Sequence, residues 1–169
     1  MKTKILLKQS VLFLLQLFLF TALPAQTPPT KQWDKTFGGS NNDDLSSLQQ
    51  TSDGGYILGG YSASGISGDK TEASRGNNDY WIVKTDANGN KQWDKTFGGS
   101  SDDQLYSFQQ TTDGGYISGG RSTSGISGDK TEASKGSYDY WIVKTDANGN
   151  KQWDKTFGGS NVDELWYLQ

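Results

Sequence analysis

The chain has 169 residues, no cysteine, no histidine and a formal net charge of −3. The two missing residue types exclude disulfide staples, Ser-His-Asp and Cys-His nucleophile systems, and ordinary zinc sites. The mild acidic balance lacks the clustered Lys and Arg that phosphates demand, so nucleic acid is excluded as a partner.

Residues 1–25 fit a secretory signal peptide. Lys2, Lys4 and Lys8 give the positive start, residues 11–20 an apolar core broken by Gln16, and residues 22–25 a small-residue exit. The apolar run is shorter than the ~20 residues a spanning helix needs, so cleavage before Gln26 and no membrane span afterwards are expected. With no cysteine, lipid attachment at that cut is closed. Cleavage leaves 13 basic against 19 acidic side chains, a net charge of −6. The expected location is an exported one: periplasm, cell surface or extracellular space. A linker, residues 26–30 with Pro28 and Pro29, follows.

Residues 31–90 and 91–150 are two copies of a 60-residue unit that differ at 12 positions, and residues 151–169 begin a third copy. A fixed period of this kind marks a repeat array, in which each unit buries its apolar face only by stacking on a neighbour. The array, residues 31–169, is expected to be a portion of a longer one.

In the first unit, residues 32–37 alternate Trp33, Lys35 and Phe37 with Gln32, Asp34 and Thr36, the pattern of a half-exposed strand. Residues 38–42 read as a loop and 45–51 as a polar second strand. Asp53-Gly54 then signals a hairpin, because Gly accepts the positive φ that tight turns require. Residues 56–61 are the third strand, and 62–78, rich in Gly and Ser, a long surface loop. Residues 79–85 are apolar on both faces and so are expected to be covered on both. Asn88-Gly89 turns the chain into Lys91-Gln92-Trp93 of the next copy.

Four short antiparallel strands per period, the inner ones covered on two sides, describe a β-propeller blade. The expected fold is all-β: a partial propeller with blades at residues 45–97 and 105–157 and the first strand of a third. The leading strand, residues 31–37, has no blade of its own and is expected to latch a closed ring. Two blades cannot close a ring of ~4 to 8, so the isolated chain is expected to self-associate through unpaired edges.

The units resemble a family of exported bacterial β-propeller repeat proteins, whose repeats carry W-x-K-x-F-G-G-S, D-G-G-Y-I-x-G-G and D-x-W-x-V-K-x-D-x-N-G-N. These motifs stand here at residues 33–40, 53–60 and 79–90, and recur from Trp93, Asp113 and Asp139. The resemblance implies a secreted or surface propeller, often with a C-terminal sorting domain for outer-membrane export; nothing like that domain is in this sequence.

Most Asp residues lie in turn contexts, where the carboxylate bonds its own backbone, so paired-carboxylate hydrolysis is not expected. Thr51-x-Asp53-x-Gly55 resembles the opening of a sialidase Asp-box hairpin, but Ile57-Leu58 departs from it. Calcium has weak candidates in Asp86, Asn88 and Asn90 and their copies Asp146, Asn148 and Asn150, which offer oxygen at alternate positions without the distal Glu of an EF-hand. Residues 38–45 match much of a calcium β-roll nonapeptide, but recur every 60 residues rather than every nine. The hairpin reading is preferred at both places.

The repeated Trp81 and Trp93 read as packing residues. Positions where the copies differ are more informative, since packing between near-identical blades does not dictate them. One such slot holds Ser46, Tyr106 and Trp166, another Tyr61 and Arg121, a third Asn78 and Tyr138. Tyr61, Tyr106, Arg121, Tyr138 and Trp166 are therefore the candidate ligand-facing residues. The expected function is a non-enzymatic secreted or cell-surface scaffold or binding module for a protein or glycan ligand. Alternatives are the non-catalytic repeat portion of a larger secreted glycan-active hydrolase, and a calcium-stabilised adhesin.

Overall fold

The computed structural model describes residues 28–169, so the signal-peptide reading and the cleavage point lie outside the described residues. Compact packing divides the chain at Lys31. Residues 28–31 are exposed and carry no regular element.

The remainder folds into eight strands: β1 (Asp43–Gln50), β2 (Tyr56–Ser62), β3 (Asp79–Thr85), β4 (Lys91–Phe97), β5 (Asp103–Gln110), β6 (Tyr116–Ser122), β7 (Asp139–Thr145) and β8 (Lys151–Phe157). They form two antiparallel sheets in the orders β1-β2-β3-β4 and β5-β6-β7-β8. These are the two expected blades of a partial, propeller-like all-β fold, with no helix among the described residues. The hairpins sit where Asp-Gly and Asn-Gly place them: Gly54 has φ 81° and Gly89 φ 75°, values that disfavour a side chain.

β3 is buried along its whole length, because each of its faces is covered. Tyr80 and Ile82 join Ile57 and Phe97 in a core shared with Leu105, Phe108, Tyr116, Trp141 and Val143 of the second blade. The Tyr80 and Trp141 rings lie 4.8 Å apart, and the Tyr80 hydroxyl donates to the Trp141 carbonyl at 2.9 Å. Gly59 leaves room for β5: a Cβ there would stand 3.1 Å from Leu105 and 3.4 Å from Phe108. Blade-on-blade packing is thus bought with a missing side chain on one sheet and an aliphatic or aromatic one on the other.

Three readings change. The long loop, residues 63–78, is not merely a surface excursion. Ser64 and Lys70 are buried in it, and Lys70 places its ammonium 5.5 Å from the Trp81 ring centre and donates to Thr96 Oγ1. Burial pushes the Lys70 pKa down to about 8. Glu72 accepts from Thr96 N at 2.9 Å, and Asp94 accepts from Thr71 N at 2.9 Å.

The expected strand at residues 32–37 belongs to neither sheet. Alternation marks a face that packs rather than a ladder, and this segment keeps the place of a preceding blade's outer strand. Trp33 meets Tyr56 edge-on at 5.4 Å as Trp93 meets Tyr116 at 5.9 Å. Gly38 N donates to Asp69 as Gly98 N donates to Asp129.

Residues 163–169 likewise carry no strand. Asp163 N still donates to Tyr138 O at 2.7 Å, as Asp103 N does to Asn78 O. Leu165 and Leu168 lie over Gly119 as Leu105 and Phe108 lie over Gly59.

Candidate functional site

The first strand of each blade breaks its ladder at one residue. Pairing of β1 with β2 skips from Leu45 to Ser47, and pairing of β5 with β6 from Leu105 to Ser107. Ser46 and Tyr106 are the extra residues of these bulges, and a bulge re-aims the side chain it carries. The slot the sequence marked as variable is therefore a bulge position.

All five candidate ligand-facing residues come together around it. The Tyr61 and Tyr106 rings meet edge-on at 6.4 Å, and Tyr106 stacks on Trp166 at 4.6 Å and 10°. Arg121 places its guanidinium carbon 4.1 Å from the Tyr138 ring centre and 5.5 Å from that of Tyr106. Such cation–π contacts hold a guanidinium in a fixed plane.

Polar partners complete the cluster. Arg121 pairs with the Glu164 carboxylate and donates from Nη2 to Gln104 Oε1 at 2.9 Å. The Tyr106 hydroxyl donates to the same Gln104 oxygen at 2.7 Å. Asp102 receives Asn78 Nδ2 at 2.7 Å, Gln104 Nε2 at 2.8 Å and the Tyr138 hydroxyl at 3.1 Å. Burial lifts the Tyr106 phenol to about 12. Burial, then the Asp102 charge, raises Tyr138. Both phenols are neutral donors at physiological pH.

Tyr106 and Trp166 also line an open groove of about 400 Å³, together with Ser46, Gln49, Gln109 and Tyr167. Trp166 and Tyr167 are 64% and 72% exposed, so a broad aromatic surface faces solvent here. Flat aromatic faces beside amides and a fixed guanidinium suit a ligand with both apolar and hydrogen-bonding parts.

The sequence reading missed Asp102, Gln104 and Glu164. The signal was available, since positions 42 and 102 differ between the copies, as do 44, 104 and 164.

The weak calcium candidates are bonded within their own turns. Asp86 Oδ1 accepts from Asn88 N at 2.8 Å and Asn90 N at 2.9 Å, and Oδ2 accepts from Asn90 Nδ2 at 2.9 Å. Asp146, Asn148 and Asn150 repeat this arrangement. These hydrogen bonds hold Asp86 and Asp146 below the ordinary carboxylate range. Asp53 behaves alike: its Oδ1 accepts from Thr51 Oγ1 at 2.5 Å and Gly55 N at 3.0 Å, the geometry of a turn. No three acidic side chains among the described residues are grouped to hold a metal ion.

No family model and no curated protein matches the chain.

Proposed function

We propose that the protein is a non-enzymatic scaffold or binding module, exported to the cell surface or beyond, whose ligand contacts the Tyr61, Tyr106, Arg121, Tyr138 and Trp166 cluster. The observation that carries this reading is convergence. Five of the twelve positions that differ between two nearly identical repeats, the slots of Asp102, Gln104, Tyr106, Arg121 and Tyr138, meet in one aromatic and guanidinium cluster, at a bulge beside an open groove. The leader-like start, residues 1–25, supports export.

A second reading rests on how the slots meet across junctions. Tyr61 of the first blade meets Tyr106 of the second, whereas Arg121 of the second meets Glu164 of the following segment. Matched pairs of this kind keep near-identical blades in order.

The test is a glycan and surface-protein array probed with the wild-type chain and with Tyr106→Ala and Tyr138→Ala. The binding reading expects a ligand whose affinity falls at least tenfold in both variants. Binding that is unchanged in both leaves blade ordering as the role of these residues.

A further inference from the structure

At the opposite end of the blades from the bulges lies a second groove, of about 450 Å³, between the first blade and the second. Trp93 and Tyr116 form one wall, their ring centres 5.9 Å apart at 62°. The floor is polar and already fixed. Lys84, 3% exposed, donates to Asp53 Oδ2 at 2.9 Å, Thr85 O at 2.9 Å and Gln92 Oε1 at 3.1 Å. Gln110 Oε1 takes Ser52 N at 2.9 Å and so ties the two blades together across the groove.

The groups left to a ligand have a definite chemistry. The Asp53 side chain is 57% exposed, and the hydrogen bonds from Thr51, Lys84 and Gly55 hold it well below the usual carboxylate range. It is thus an ionised, immobile acceptor. Gln92 is the extra residue where pairing of β3 with β4 skips from Lys84–Trp93 to Thr85–Lys91, so a bulge turns it outward. With its oxygen held by Lys84, its amide N–H groups are oriented for donation. An aromatic wall, a carboxylate acceptor and an amide donor within one groove fit a ring that is apolar on its faces and hydroxylated at its edge.

We infer that this inter-blade groove is a binding site for neutral saccharides, with the sugar ring against the Trp93 and Tyr116 wall and adjacent hydroxyls on Asp53 and Gln92. The ion pair with Lys84 leaves no spare positive charge for an anionic sugar. The parts recur: Trp33 with Tyr56 repeats the wall, and Asp113, Lys144 and Gln152 repeat the floor at 2.9 and 3.2 Å. A longer array of these units therefore carries one such site per junction, and weak single sites gain strength through multivalency. This site is separate from the Tyr106 cluster and does not depend on it.

The test is saturation-transfer NMR of the full chain with cellotetraose, xylotetraose, mannotetraose and maltotetraose. Gln92→Ala, Trp93→Ala and, as a distant surface control, Lys135→Ala are compared with the wild type. At least one sugar is expected to bind with Kd below about 10 mM, at least tenfold more weakly to Gln92→Ala and Trp93→Ala and unchanged in Lys135→Ala. Gln92 is exposed, so its variant reads binding even if Trp93→Ala does not fold. Absence of binding by all four sugars, or binding that survives Gln92→Ala, overturns the inference.

Discussion

Replacing Asp94 by alanine should unfasten the first blade from its long loop. Its side chain is 1% exposed. The carboxylate accepts from Trp81 Nε1 at 3.1 Å, Thr71 N at 2.9 Å, Thr71 Oγ1 at 2.9 Å and Lys91 Nζ at 2.9 Å. Burial alone would raise its pKa, but these hydrogen bonds outweigh it and hold the group below the ordinary range. In the variant the Thr71 hydroxyl can rotate and Lys91 can turn to water, leaving the Trp81 and Thr71 N–H groups unpaired. At ~1–3 kcal/mol for each of the two orphan donors, the loss is about 4 kcal/mol. For a chain of this size that corresponds to a Tm lower by about 8–16 °C. The repeat supplies an internal duplicate. Asp154 accepts from Trp141, Thr131 and Lys151 at 2.8–3.1 Å, so Asp154→Ala should cost about the same. Thermal melts followed by tryptophan fluorescence measure both. A fall of less than about 3 °C in either variant, or a twofold disparity between them, would refute the reasoning.

Stability should also depend on pH in a direction set by Asp79, whose carboxyl burial lifts to about 6 from an unfolded value near 3.8. Between those values the folded state binds more protons, so this group's contribution is full below pH 3.8 and is lost as pH rises through 6. Asp103 and Asp129, also raised by burial, act in the same direction. Tm should therefore rise by several degrees from pH 7 to pH 5, less so in Asp79→Asn; a flat or inverted wild-type profile contradicts this. Below pH 4 the unfolded state takes up protons on Asp53, Asp94 and Asp154 before the folded state does, because folding lowers these carboxylates, and stability should fall again. Two glycine variants separate backbone strain from steric exclusion. Gly54→Ala has open space but φ 81°, and should cost ~1–2 kcal/mol. Gly60→Ala would put a Cβ 1.8 Å from the Asp44 carbonyl and should cost about 3 kcal/mol or more. Denaturant melts in which Gly54→Ala proves the more damaging would reverse the argument.

Much of the fold was legible because turn chemistry and strand alternation agree in every repeat. Asp53-Gly54 and Asn88-Gly89 set the hairpins, and the two-sided apolar pattern of Asp79–Thr85 placed that strand in the middle of its sheet, covered on both faces. Residues 32–37 misled because alternation reports a face to be covered, not a hydrogen-bonded ladder, and residues 163–169 because the repeat period reports position in a unit, not pairing. The loop at 63–78 misled for a different reason: Lys70 is buried by partners distant in sequence, Thr96 and the Trp81 ring, which local composition does not reveal. The candidate cluster was found through differences between copies, a signal independent of secondary structure. Its polar members Asp102, Gln104 and Glu164 vary as well, but their bonds to Tyr138, Tyr106 and Arg121 emerge only once the bulge is built.

The most direct test of the binding surface makes the second blade's slots copies of the first: Tyr106→Ser, Arg121→Tyr and Tyr138→Asn together. The first blade already carries Ser46, Tyr61 and Asn78 at these places, so the triple variant should fold, with a Tm within about 5 °C of the wild type. Affinity for whichever array ligand the wild-type chain binds should fall at least tenfold. A folded triple variant that binds that ligand as tightly as the wild type would contradict the account.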